Sequence, residues 1–204
     1  IKETSNSRHE AVAKRRESLL GTNQFPNFNE IAKDKLEDKA TTACCNSSVQ
    51  SCEKTIETLD TNRAACDFEA LRFATEKASK RPKAFMLTIG NLAMRLARAQ
   101  FSCNFLACAG YEVIDNLGFQ TIEEGVAAAQ KAKADIIVLC SSDDEYAELA
   151  PQAFKTIGGK QIFVVAGAPA CTDDLKAVGI TNFINVKSNV LETLKSFNKQ
   201  LGIN

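Results

Sequence analysis

Residues 84–109, AFMLTIGNLAMRLARAQFSCNFLACA, place a strand, a turn and a long helix in immediate succession. Positions 84–89 are apolar but for Thr88, the composition of a strand covered on both faces rather than half open to water. Gly90 stops the strand, and Asn91 stands where a side chain can cap a helix. Leu92, Leu96, Ala99, Cys103 and Leu106 then recur at helical spacing, with Arg95, Arg98 and Ser102 on another face, and Gly110 ends the run.

Everything C-terminal to this stretch repeats its pattern. Strands are expected at 111–115, 135–140 (DIIVLC, the most β-branched run and so the central strand), 161–165 and 182–186. Helices are expected between and after them. One is opened at Thr121 by a capping box with Glu124, and a second at Ser142 with Glu145, which Pro151 should kink or split. Further helices fall at 172–178 and 188–201. Five strands alternating with five helices imply a parallel, doubly wound α/β sheet with right-handed crossovers, of flavodoxin-like order 2-1-3-4-5. Such a sheet takes ligands where its order reverses, which puts the candidate crevice between the first and third strands, at Gly90, Asn91, Ser141 and Ser142.

Residues 1–82 differ in character. A charged, helix-compatible run at 3–19 ends at Gly21 before Phe25-Pro26, and 29–39 alternates charge at helical spacing. The stretch 41–51 is small and polar, without a period, and reads as a linker. Residues 67–80 form a helix closed by Arg81-Pro82. The division expected is therefore a helical link over 1–82 and a sheet domain over 83–204. The chain begins at Ile1 rather than Met, and its first segment shows no core of its own, so a longer polypeptide is expected.

Composition removes several classes of function. Lys plus Arg number 25 and Asp plus Glu 25. That balance supplies no field for nucleic acid or an anionic membrane surface, and neither is expected as a partner. No apolar run approaches the ~20 residues of a membrane span, and no signal core opens the chain, so a cytoplasmic protein is expected. The eight cysteines contain no C-x-x-C pair, and no metal site is expected. Cys103, Cys108, Cys140 and Cys171 lie in apolar surroundings and read as small buried hydrophobes, whereas Cys44, Cys45 and Cys52 lie in a polar stretch as candidate exposed thiols. Neither G-x-G-x-x-G nor G-x-x-x-x-G-K-[ST] occurs, which argues against dinucleotide and nucleoside triphosphate chemistry. Asp143, Asp144 and Glu145 read as a solvated helix start favoured by the dipole.

Two stretches carry a family resemblance: Arg15-Arg16 through Leu20-Gly21 to Phe25-Pro26, and Phe68-Glu69-x-Leu71-Arg72 followed by Arg81-Pro82-Lys83. Both resemble the link between the barrel and the C-terminal domain of methylmalonyl-CoA mutases, and the sheet after Lys83 is similar to their cobalamin-binding domain. The resemblance implies an isomerase that interconverts methylmalonyl-CoA and succinyl-CoA, with adenosylcobalamin held between barrel and sheet. The cofactor-binding copy carries D-x-H-x-x-G after its first strand, a serine motif after the third and a glycine pair after the fourth. Here Leu92 and Met94 stand in place of the Asp and His, Ser141-Ser142 remains, and Ala166-Gly167 keeps one glycine. The sole histidine is His9, in the link, where it reads as a surface residue. The chain therefore most resembles the non-catalytic small-subunit branch of the heterodimeric enzymes. That resemblance implies a vestigial crevice of Gly90, Asn91, Ser141, Ser142 and Gly167, no catalytic residues, and no cofactor in this chain. It also implies adenosylcobalamin in a partner large subunit, and a barrel preceding Ile1. Leu92 and Met94 are expected to fill part of the vacated channel. The alternative is a corrinoid carrier that binds cobalamin with its own base still on cobalt.

Overall fold

The computed structural model describes residues 2–32 and 63–203. The linker at 41–51 with Cys44 and Cys45, the nearby Cys52, and most of the 29–39 pattern lie outside the described residues. Among the described residues, two helices, α1 (Lys2–Ala13) and α2 (Cys66–Lys77), precede the sheet unit. That unit runs β1 (Lys83–Thr88), α3 (Leu92–Ala107), β2 (Glu112–Ile114), α4 (Ile122–Lys131), β3 (Ile136–Cys140) and α5 (Tyr146–Ile157). It continues through β4 (Ile162–Ala166), α6 (Thr172–Ala177), β5 (Asn182–Ile184) and α7 (Val190–Gln200).

All five strands are parallel, in the expected order β2-β1-β3-β4-β5. The central pair runs in register from Ala84 opposite Ile136 to Thr88 opposite Cys140. Because strand side chains alternate, each central strand feeds two cores. Met86, Val138 and Val164 face one cluster with Ala99, Phe105 and Leu106 of α3 and Leu194 and Phe197 of α7. Phe85, Leu87, Ile137, Leu139 and Val165 face the other, with Val126 of α4, Ala150 and Ala153 of α5 and Leu175 of α6. Val12, Ala13, Phe68 and Leu71 join the first cluster, so α1 and α2 pack on the α3–α7 side of the sheet.

Local differences from expectation have local causes. The helix expected to reach residue 19 stops at Ala13, where Arg15 turns to a φ of 57° and the Asn23 amide donates to the Val12 and Glu17 carbonyls at 2.8 and 3.0 Å. The face expected for α3 is also displaced. Leu92 and Leu96 are exposed while Ser102 is fully buried, because burial begins only at Ala99: the first half of the helix overhangs the sheet. Ser102 tolerates burial by donating to the Arg98 carbonyl at 2.7 Å, within its own helix. Pro151 does not split α5, which runs unbroken to the left-handed Gly158. The hydrogen bond it forgoes is to a first-turn carbonyl, and buried Ala150, Ala153 and Ile157 hold the helix to the sheet.

Candidate functional site

The loops that follow β1, β2, β3 and β4 meet at one edge of the sheet. After β1, Gly90 adopts a φ of 78°, and Asn91 caps α3 by accepting from the Met94 N–H at 3.1 Å, as its position predicts. After β3, Ser141 is fully buried above Tyr146, the first residue of α5. The Tyr146 hydroxyl accepts from the Ser141 N–H at 3.0 Å and donates to the Ala166 carbonyl at 2.6 Å, which ties the third loop to the end of β4. Burial raises the Tyr146 phenol far above its ordinary pKa, so the group stays a neutral donor.

Glu145 occupies the centre. Its carboxylate accepts from the Ser141 hydroxyl, from the Ser142 hydroxyl at 2.8 Å, and from the N–H groups of Ser142 and Asn91 at 3.2 Å each. The Ser141 hydroxyl above all, then partial burial acting in the opposite sense, then the Ser142 and Asn91 donors set its pKa, which falls to about 2. A Cβ added at Gly90 would sit 2.2 Å from Glu145 Oε2. Glycine and carboxylate therefore share one space.

Two further glycines are filled in the same way. Arg95 donates to the Gly90 and Leu117 carbonyls at 3.2 Å each, and its guanidinium carbon lies 2.5 Å from where a Cβ on Gly118 would be. Arg98 grips Asp143 at 3.0 and 3.1 Å, and Asp143 Oδ1 lies 2.9 Å from the corresponding point on Gly167. The structure thus brings Gly90, Asn91, Ser141 and Ser142 together around one carboxylate, and sets Gly167 beside a separate ion pair.

Three expectations are corrected here. Asp143, Asp144 and Glu145 are not one solvated run: Asp143 and Asp144 are exposed, Asp143 in an ion pair with Arg98, but Glu145 is folded into the crevice. Ser142 does not open α5, which starts at Tyr146 without a side-chain cap. Leu92 and Met94 do not fill a channel, being 60% and 38% exposed. The roles of Arg95, Arg98 and Tyr146 carried no sequence signal. Glu145 had one, since Ser-x-x-Glu spacing marks a side chain that turns back on its own loop.

Cys103, Cys108 and Cys140 are buried as expected, and burial raises all three thiols, Cys103 to about 12. Unactivated thiols of this kind pack rather than react. Cys171 is only partly buried, contrary to expectation. His9 Nδ1 lies 3.7 Å from Asp67 Oδ2, between α1 and α2, and so it is less open than a free surface residue. Cavities of about 840 and 760 Å³ lie elsewhere. The first is at the opposite edge of the sheet, near Lys133 and Lys160, and the second lies between residues 25–29 and α3.

No family model matches the chain. Among curated proteins it is 63% identical over 196 residues to the methylmalonyl-CoA mutase small subunit of Porphyromonas gingivalis, covering 96% of this chain and 31% of that protein. It is 27% identical over 210 residues to a probable methylmalonyl-CoA mutase small subunit of Mycobacterium bovis, covering 99% of this chain and 31% of the relative. With the small subunit of Streptomyces virginiae it shares 28% over 171 residues, 80% of this chain and 26% of the relative. The chain thus spans about a third of the length of the relatives it matches. Along nearly all of its own length, this chain is a homologue of the methylmalonyl-CoA mutase small subunits.

Proposed function

We propose that this chain is part of the small subunit of a heterodimeric, adenosylcobalamin-dependent methylmalonyl-CoA mutase, and that its sheet unit has a structural rather than a cofactor-binding role. Residues 83–204 are then a degenerate cobalamin-binding domain, residues 1–82 are its link from a barrel, and the cofactor resides in the large subunit. The observation that carries the reading is the crevice, where Gly90, Gly118 and Gly167 all lie against charged side chains of the chain itself. By resemblance, Leu92 and Met94 stand where the family supplies the Asp and the His that is the lower ligand, and neither residue type can do that work. These residues do not fit the lower half of a corrinoid.

An apolar surface supports the partnership. Leu92, Leu96 and Leu117 are 60%, 45% and 91% exposed around the overhanging start of α3, the type of patch that a further surface covers. Adding cobalamin to the chain, followed by absorbance, is expected to give no spectral change up to high micromolar concentration. Methylmalonyl-CoA with adenosylcobalamin is expected to give no succinyl-CoA until a large subunit is supplied. A saturable shift on titration would replace this reading by the corrinoid carrier, and turnover by the chain alone would sink both.

A further inference from the structure

A carboxylate in the first turn of a helix ordinarily faces water or its own helix N-terminus. Glu145 accepts from the Ser142 N–H of its own loop but does not stop there. It immediately precedes α5, yet α5 has no side-chain cap, and the carboxylate has turned away to reach the N–H of Asn91, 54 residues earlier in the chain. The group therefore bridges two loops across the crevice. Oε2 meets two hydroxyls and one N–H from Ser141 and Ser142 on the β3 side and the Asn91 N–H on the β1 side, which it shares with Oε1 at 3.2 Å each. Ser141 is itself fully buried, and Gly90 leaves the room that the carboxylate needs.

We propose that Glu145 is an internal latch: a carboxylate that takes the place of a ligand in a doubly wound crevice and holds the first and third loops together without one. The inference stands on the crevice geometry and does not depend on the subunit reading. It follows that removing the carboxylate leaves four donors without their acceptor, and that a small free carboxylate can take its place. A neutral amide cannot replace it fully, because its oxygen carries no full charge in the place of Oε2 and its NH2 sets a donor where Oε1 shares the Asn91 N–H.

The test uses the intact chain as wild type, E145A and E145Q, with the backbone amide resonances of Asn91 and Ser142 followed by proton–nitrogen NMR. Both amides are expected to move upfield in E145A and part of the way in E145Q, including Asn91 on the opposite loop. Sodium acetate, against sodium chloride at equal ionic strength, is expected to return the E145A resonances saturably toward their wild-type positions and to leave the wild type unmoved. An Asn91 amide indifferent to E145A would overturn the latch, as would wild-type shifts in E145Q. A displacement that acetate does not reverse, or acetate shifts equal in wild type and variant, would overturn the substitution for a ligand. Should E145A fail to fold, E145Q carries the same comparison at Asn91.

Discussion

Between Glu145 and Gly90 the chain settles a conflict that neither residue could settle alone, since any Cβ at position 90 would meet the carboxylate at 2.2 Å. The carboxylate is ionised in the fold well below the pH at which a free glutamate titrates, because hydroxyl and amide donors favour the charged form. Its pKa is lowered on folding, so the stability it contributes is complete above the ordinary value of 4.5 and is lost as pH falls toward about 2. The melting temperature of wild type is therefore expected to exceed that of E145Q by a constant margin above about pH 5, and the margin should shrink toward about pH 3. Thermal unfolding of both proteins across that range checks it. A margin independent of pH would mean that charge is irrelevant at this site.

At the scale of elements, burial decides what the spacing of residues leaves open. The β-branched and apolar runs ended by glycine made the strands and their order legible, because an open parallel sheet buries its central strands on both faces. The face of α3 was not legible, since Leu92 and Leu96 keep helical spacing past the point where the sheet stops. Nor was the polar core. The Tyr111 hydroxyl donates to Asn198 Oδ1 at 2.7 Å, and the Asn198 amide donates to Thr75 Oγ1 at 3.0 Å, with all three residues buried. These partners lie 87 and 123 residues apart, beyond any local pattern. They join α2, α7 and the entry to β2. Tyr111→Phe removes one donor and is expected to cost about 1 kcal/mol. Asn198→Ala strands the Tyr111 hydroxyl, takes the amide donor from Thr75 Oγ1, which keeps only the Leu71 carbonyl at 3.1 Å, and should cost about 2–3 kcal/mol. Urea unfolding gives both values, and equal costs would show that the three residues do not act as a unit.

Across the whole molecule, the arginines of the two link motifs hold the N-terminal segment against the sheet unit by donating to main-chain carbonyls. Arg15 reaches the Asn104 carbonyl at 3.1 Å and lies over the Phe105 ring at 5.4 Å, while Arg72 reaches the Glu30 carbonyl at 2.6 Å. Arg81 does the most connecting: it donates to the Gly110 carbonyl at 2.7 Å and to the Phe28 carbonyl at 2.9 Å, so one guanidinium joins the end of α2, the turn before β2 and the N-terminal segment. The link motifs were recognisable in the sequence, but what they bind was not, because main-chain carbonyls leave no signature in residue types. Arg81→Ala should leave the sheet intact, since β1 through β5 do not use the guanidinium for their pairing. It should instead loosen residues 27–30, which the Arg72 contacts to the Asn27 and Glu30 carbonyls still hold in part. The expected cost is about 1–3 kcal/mol, the range for hydrogen bonds to a charged donor. Hydrogen exchange should rise at residues 27–30 and stay unchanged at Met86 and Val138 in the core. Uniform loss of protection, strands included, would mean instead that the arginine supports the sheet itself.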